Sequence, residues 1–162
     1  MSSLAFFGPP QQGASTGGAM ITVHLVPVFE GGLVVFDLRS SDKQARWLPW
    51  RVLDFGGNPY ECASNLGDDW CEGAVSDLSL ADVMSFEIPG SGWELAIIFR
   101  AELTAKPRPR GARVPALLAA GSLDAIGRFD PVDLERWVAA VRAGAEAGRE
   151  GGSRPPGPQL LF

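Results

Sequence analysis

A chain of 162 residues with 46% hydrophobic and 20% charged side chains is long enough for one domain that buries roughly two-thirds of its unfolded surface around one core. Its net charge of −5 argues against a nucleic-acid backbone or an anionic membrane as the main partner, since both select for basic patches. The longest apolar runs, Ile21 to Phe29 and Leu95 to Phe99, fall short of the ~20 residues a membrane span needs.

In chain order, residues 1–19 are rich in Gly, Pro, Ser and Gln and lack periodicity, which predicts a flexible arm. The folded domain is expected over 20–147. Ile21 to Phe29 and Leu33 to Leu38 are apolar runs joined through Gly31-Gly32, a β-hairpin signal. A polar loop is expected from Arg39 to Arg46. Asn58-Pro59 then supplies an N-cap and a first-turn proline for a helix reaching about Glu72, which Gly67 weakens by about 1 kcal/mol relative to Ala. Ala81 to Ile88 and Trp93 to Leu103 read as strands around Pro89-Gly90-Ser91-Gly92. Alternation in the second strand puts Trp93, Leu95, Ile97, Phe99, Ala101 and Leu103 on one face, and Glu94, Ala96, Ile98, Arg100 and Glu102 on the other. Lys106 to Gly111 is an extended proline-rich loop, followed by a short apolar stretch. Asp130-Pro131 caps a last helix whose apolar stripe is Leu134, Trp137, Val138 and Val141. The Gly/Pro-rich segment 148–162 is expected as a flexible tail.

The N-terminus has no basic region before its short apolar stretch Leu4 to Phe7, so it is a poor secretory signal and a cytoplasmic location is expected. Cys62 and Cys71, nine residues apart, would point to opposite faces of a helix and are expected as reduced thiols. Lysine occurs only at Lys43 and Lys106; that bias, with abundant Ala, Gly and Pro, suggests a GC-rich bacterial genome.

Hairpin, Trp47-Leu48-Pro49, helix, strand pair with Phe99-Arg100-Ala101, and Arg128-Phe129-Asp130-Pro131 before a last helix together resemble the Nudix family over residues 20–145. The resemblance implies an α/β fold, a Nudix-like α/β/α sandwich with a mixed sheet. Nudix hydrolases carry the box G-x5-E-x7-R-E-U-x-E-E-x-G-U, whose helix-borne carboxylates hold Mg²⁺ or Mn²⁺ to polarise a diphosphate and activate water. Ungapped placement on Leu48-Pro49 puts the first box Gly on Arg51, the first Glu on Gly57 and the Arg on Asn65. The three clustered glutamates fall on Leu66, Asp69 and Trp70, so only Asp69 keeps the chemistry. A one-residue slip that matches Gly73 to the last box Gly aligns the glutamate pair with Trp70 and Cys71 and recovers nothing.

Three constellations remain. Glu61, Asp68 and Glu72 share a helix face with Asn65 beside them, and with Asp69 they form the only candidate metal set; a solvated acidic face is the plainer reading, and no cofactor is expected. His24 lies on the Thr22, Val26 and Val28 face of a core strand. It pairs with Asp37 on the next strand as the acid/base candidate, against a purely structural histidine. Among the aromatic residues of the mid-chain, Trp50, Tyr60 and Trp93, together with Arg51, are the candidate ligand contacts, against simple core packing.

The expected function is a repurposed Nudix-fold protein that binds or transforms a mostly apolar small molecule without metal. Acid/base-assisted cyclisation or isomerisation in a bacterial biosynthetic pathway is the example. One alternative is a non-catalytic module that senses a ligand or binds protein; another is a Mg²⁺-dependent hydrolase of nucleoside diphosphate derivatives with an atypical box. A small-molecule ligand is the expected partner, with no nucleic acid, no membrane and a homodimer left open.

Overall fold

The computed structural model describes residues 19–40, 43–88 and 92–150; all of the expected arm except Ala19, the turn 89–91 and the tail beyond Glu150 lie outside the described residues. Its strands are β1 (Ala19–Phe29), β2 (Gly32–Ser40), β3 (Lys43–Trp47), β4 (Trp50–Val52), β5 (Val75–Ile88), β6 (Gly92–Leu103) and β7 (Arg113–Leu118). Helix α1 (Pro59–Cys71) lies between β4 and β5, and α2 (Pro131–Glu150) follows β7.

The hairpin forms as expected, but its turn is Glu30-Gly31, both left-handed at φ 48° and 77°. Gly32 is instead the first residue of β2, where a Cβ would stand 2.8 Å from the Leu118 carbonyl oxygen of β7. Where a polar loop is expected from Arg39 to Arg46, the chain instead pairs in the sheet: β2 runs to Ser40 and β3 pairs with it, Phe36 opposite Trp47 and Asp37 opposite Arg46. β5 begins at Val75 rather than Ala81, and the short apolar stretch after Gly111 is strand β7, paired to β2. Helix α2 extends into the stretch expected as tail, to Glu150.

The sheet is ordered β3-β2-β1-β6-β5, with β4 beside β1 and β7 beside β2. It is mixed, because β1 and β6 run parallel from Ala19↔Trp93 to Val28↔Glu102 while the other pairs are antiparallel. Helix α1 starts where the sequence predicts: the Asn58 side chain accepts the Tyr60 and Glu61 amides at 2.8 and 3.3 Å. It ends on left-handed Glu72 and Gly73.

Each helix covers one sheet face. Cys62, Ala63, Leu66 and Cys71 of α1 pack on Val23, Leu25, Phe99, Ala101 and Leu103. Leu134, Trp137 and Val138 of α2 pack on Val26, Val28, Ala96 and Ile98; Val141, also expected on that stripe, has a side chain outside those described. A sheet buried on both faces explains why the alternation along β6 does not separate inside from outside. Glu94 and Arg100, which alternation sets on the face opposite Phe99 and Leu103, are buried along with Ala96 and Ile98.

Candidate ligand cleft

β1 changes partner along its length. Near its end it bonds to β2, at Val28↔Leu33 and Phe29↔Gly32, but at its beginning it bonds to β4, at Thr22↔Val52, Val23↔Arg51 and His24↔Trp50. The two hairpin strands therefore splay, and a cleft of about 210 Å³ opens on the α2 side of the sheet. β1 contributes His24, the β3–β4 segment contributes Arg46, Trp47, Leu48 and Trp50, and the loop before α2 contributes Ile126 to Phe129. That loop is a tight turn, closed by reciprocal 3.1 Å backbone bonds between Ile126 and Phe129. Gly127, at φ 58°, supplies the left-handed residue the turn requires.

His24, only 5% exposed, lies at the back of the cleft. Its ring stacks on Trp50 with centroids 6.2 Å apart and meets the edge of Phe129 at 5.0 Å. Nε2 is 3.0 Å from the Thr22 hydroxyl and 3.5 Å from Glu94 Oε1. The Thr22 hydroxyl donates to Glu94 Oε1, and Arg128 holds Glu94 Oε2. Glu94 has no exposed surface, so its two oxygens depend on Arg128 and Thr22 for hydrogen-bond partners. Burial pushes the His24 imidazole down to about 4, overriding the Glu94 hydrogen bond and charge that favour protonation. His24 is thus neutral at pH 7.

The structure distributes the sequence-predicted residues unevenly. Trp50 lines the cleft and is 37% exposed. Asp37 is not brought to His24: it bonds to Arg46 at 2.9 Å and raises that guanidinium's pKa, so it steadies a cationic wall residue. Arg51 lines a different hollow with Asp54, Asn58 and Glu61. Tyr60 meets the edge of Phe99 on the α1 side, and Trp93 is exposed at the start of β6.

The candidate metal set is not gathered. Asp69 bonds to Arg113 at 3.3 Å, and the Arg113 guanidinium lies 3.8 Å over the Trp70 ring. Glu72 takes the Arg108 side chain and backbone amide, which lower its pKa. Glu61 and Asp68 border separate hollows, and the described residues contain no group of three His, Cys, Asp or Glu placed to hold a metal. Leu66, at a box glutamate position, is fully buried in the core. The donor set on α1 does not fit the Mg²⁺ or Mn²⁺ centre the box would build.

Thr22, Glu94, Arg128 and Phe129 complete the site without having been singled out for it in the sequence. A carboxylate on the Ala96–Ile98 face of a strand is the one local signal. Nothing local links it to a threonine 72 positions away.

No protein-family model matches the sequence, and comparison with curated proteins gives no match. Solved structures do match. A MutT protein from Methanosarcina mazei Go1 is similar with a TM-score of 0.60 at 12% identity, covering 83% of this chain and 98% of that one. A MutT Nudix hydrolase from Burkholderia pseudomallei gives 0.57 at 14%, covering 73% and 97%. The fold is the Nudix fold. The Nudix domain of Shewanella oneidensis NrtR, solved with ADP ribose, gives 0.59 at 11% identity and covers 88% of this chain and 99% of that one. The aromatic cleft opens on the face of the sheet opposite α1, the helix on which the sequence placement puts the box. No helix among the described residues is long and apolar enough to cross a membrane.

Proposed function

We propose that this chain uses the Nudix fold to bind a flat, mostly apolar small molecule in the aromatic cleft, and to assist its chemistry by proton transfer at His24, without a metal-held diphosphate. The observation that carries the reading is a neutral histidine at the floor of an aromatic-walled cleft, backed by Thr22, Glu94 and Arg128, in a chain whose α1 keeps a single box carboxylate, Asp69, already held by Arg113. Trp47, Trp50 and Phe129 offer ring faces and edges. Arg46 and Arg128 favour a polar or anionic substituent on the ligand. The volume lies below the roughly 300–1,000 Å³ of drug-sized sites and fits a ligand of one or two fused rings.

Neutral His24 has a lone pair for an acidic proton of the ligand. The resulting imidazolium would lie 3.5 Å from the Glu94 carboxylate, which offsets part of the cost of charging a buried ring. Cyclisation or isomerisation through an enol-type intermediate, in a biosynthetic setting, is chemistry of this kind.

The test is an assay of the purified protein on nucleoside diphosphate sugars, ADP-ribose and dinucleoside polyphosphates with Mg²⁺ or Mn²⁺. No turnover is expected, and turnover abolished by Asp69→Asn or Glu72→Gln would overturn the proposal. A second reading, a ligand-sensing module, draws on the likeness to a Nudix domain that binds ADP ribose. Saturable ADP-ribose binding without turnover, lost in Trp50→Ala, would favour it.

A further inference from the structure

Resting on the cleft reading above, we infer that Glu94, acting through Thr22, is a positioning residue that fixes His24 as its Nε2–H tautomer and makes Nδ1 the acceptor pole of the cleft, which selects ligands that present an N–H or O–H donor to the floor. The inference follows from counting donors and acceptors. Arg128 donates to one oxygen of Glu94 and the Thr22 hydroxyl to the other, so both oxygens are engaged as acceptors. Having given its one proton to Glu94, Thr22 meets His24 Nε2 at 3.0 Å with lone pairs alone. That contact is a hydrogen bond only if Nε2 carries the ring proton, and in a neutral imidazole the other nitrogen is then unprotonated. Among the described residues Nδ1 has no hydrogen-bond partner, and its ring borders the cleft. Trp50 on one face and Phe129 at its edge limit rotation of the ring, so the acceptor keeps its direction.

His24 is the only histidine in the chain, so ¹⁵N-resolved NMR of the imidazole reports this site alone. The wild type is expected to show a protonated Nε2 and an unprotonated Nδ1 at pH 7. In Glu94→Gln the side-chain carbonyl stays on Arg128 and its NH₂ turns to Thr22, which then donates to Nε2, so the two nitrogen signals should exchange roles. Thr22→Ser should keep the wild-type pattern, and Thr22→Val, which leaves Nε2–H only the more distant Glu94 Oε1 at 3.5 Å, should show a mixture of tautomers; this pair decides the matter if Glu94→Gln does not fold. An Nδ1–H tautomer in the wild type, or a pattern unmoved in folded Glu94→Gln or Thr22→Val, overturns the positioning role.

The donor requirement is tested with indole-2-carboxylate against benzofuran-2-carboxylate, near-isosteric anions with and without a ring N–H. The indole should bind at least tenfold more tightly, and equal binding overturns the requirement. If neither binds while the wild type shows Nε2–H, the donor requirement and the cleft reading fail and the positioning role stands. If the indole binds to a protein with the Nδ1–H tautomer, the cleft reading stands and the positioning role fails.

Discussion

His24 is a residue whose protonation works against the fold. Its pKa falls from 6.5 to about 4 on folding, so below 6.5 the unfolded chain binds the proton more readily than the native one. The stability this group provides is complete above pH 6.5 and is lost as pH falls from 6.5 towards 4, by on the order of 3 kcal/mol in all. Denaturant melts at pH 7, 5.5 and 4 should show this slope in the wild type and a shallower one in His24→Asn; equal slopes would contradict it. The imidazole C–H resonances should titrate with a midpoint near 4, and a midpoint at or above 6.5 would remove the basis for a neutral ring. Two tryptophans give a contrast of a different kind. Trp137 is 1% exposed and its indole N–H is held by Asp82 at 3.1 Å, so Trp137→Ala should cost roughly 3–5 kcal/mol of folding free energy. Trp50→Ala should cost much less stability, and should weaken a cleft ligand by about 1–3 kcal/mol. Equal destabilisation by the two, with ligand affinity unchanged, would make Trp50 ordinary core.

Helix α1 shows where sequence rules need their surroundings. By propensity Gly67→Ala should stabilise the helix by about 1 kcal/mol, but a Cβ there would stand 2.8 Å from a Val75 methyl on β5. The close approach of helix and strand explains the glycine. Gly67→Ala is expected to destabilise by about 1 kcal/mol, and in a Val75→Ala background to become neutral or stabilising; thermal melts of the double-mutant cycle check this, and additivity would refute it. Both helices, the hairpin and β6 were legible because caps and long apolar runs write them locally. Lys43–Trp47, Trp50–Val52 and Arg113–Leu118 were not. They are short and partly polar, and pairing within the sheet makes them strands. The same limit governed the site. His24 and Asp37 look like facing residues if the hairpin stays closed, and the insertion of β4 beside β1 gives His24 another neighbour. Glu94 reaches His24 through a parallel pairing whose register no local pattern specifies.

At the scale of the whole molecule, the arginines replace what a metal would do for charge near α1: Arg113 and Arg108 neutralise Asp69 and Glu72. Folding should therefore be indifferent to chelator. Melting curves with EDTA and with excess Mg²⁺ are expected to coincide, and a shift of several degrees would point to a metal-dependent fold. The parallel pairing of β1 with β6 also has a consequence in time. β1 is nearly all apolar, and its central partner is strand β6, which reaches Glu102 opposite Val28. On a ribosome moving at about 5–20 residues per second, roughly 4–15 s separate the synthesis of β1 from that of the end of β6. During that interval β1 has only the short hairpin contact with β2 and the three-residue β4 to occupy its backbone. The nascent chain is then at its most adhesive, and slowing translation between residues 30 and 100 should lower the soluble yield more than slowing it after residue 103.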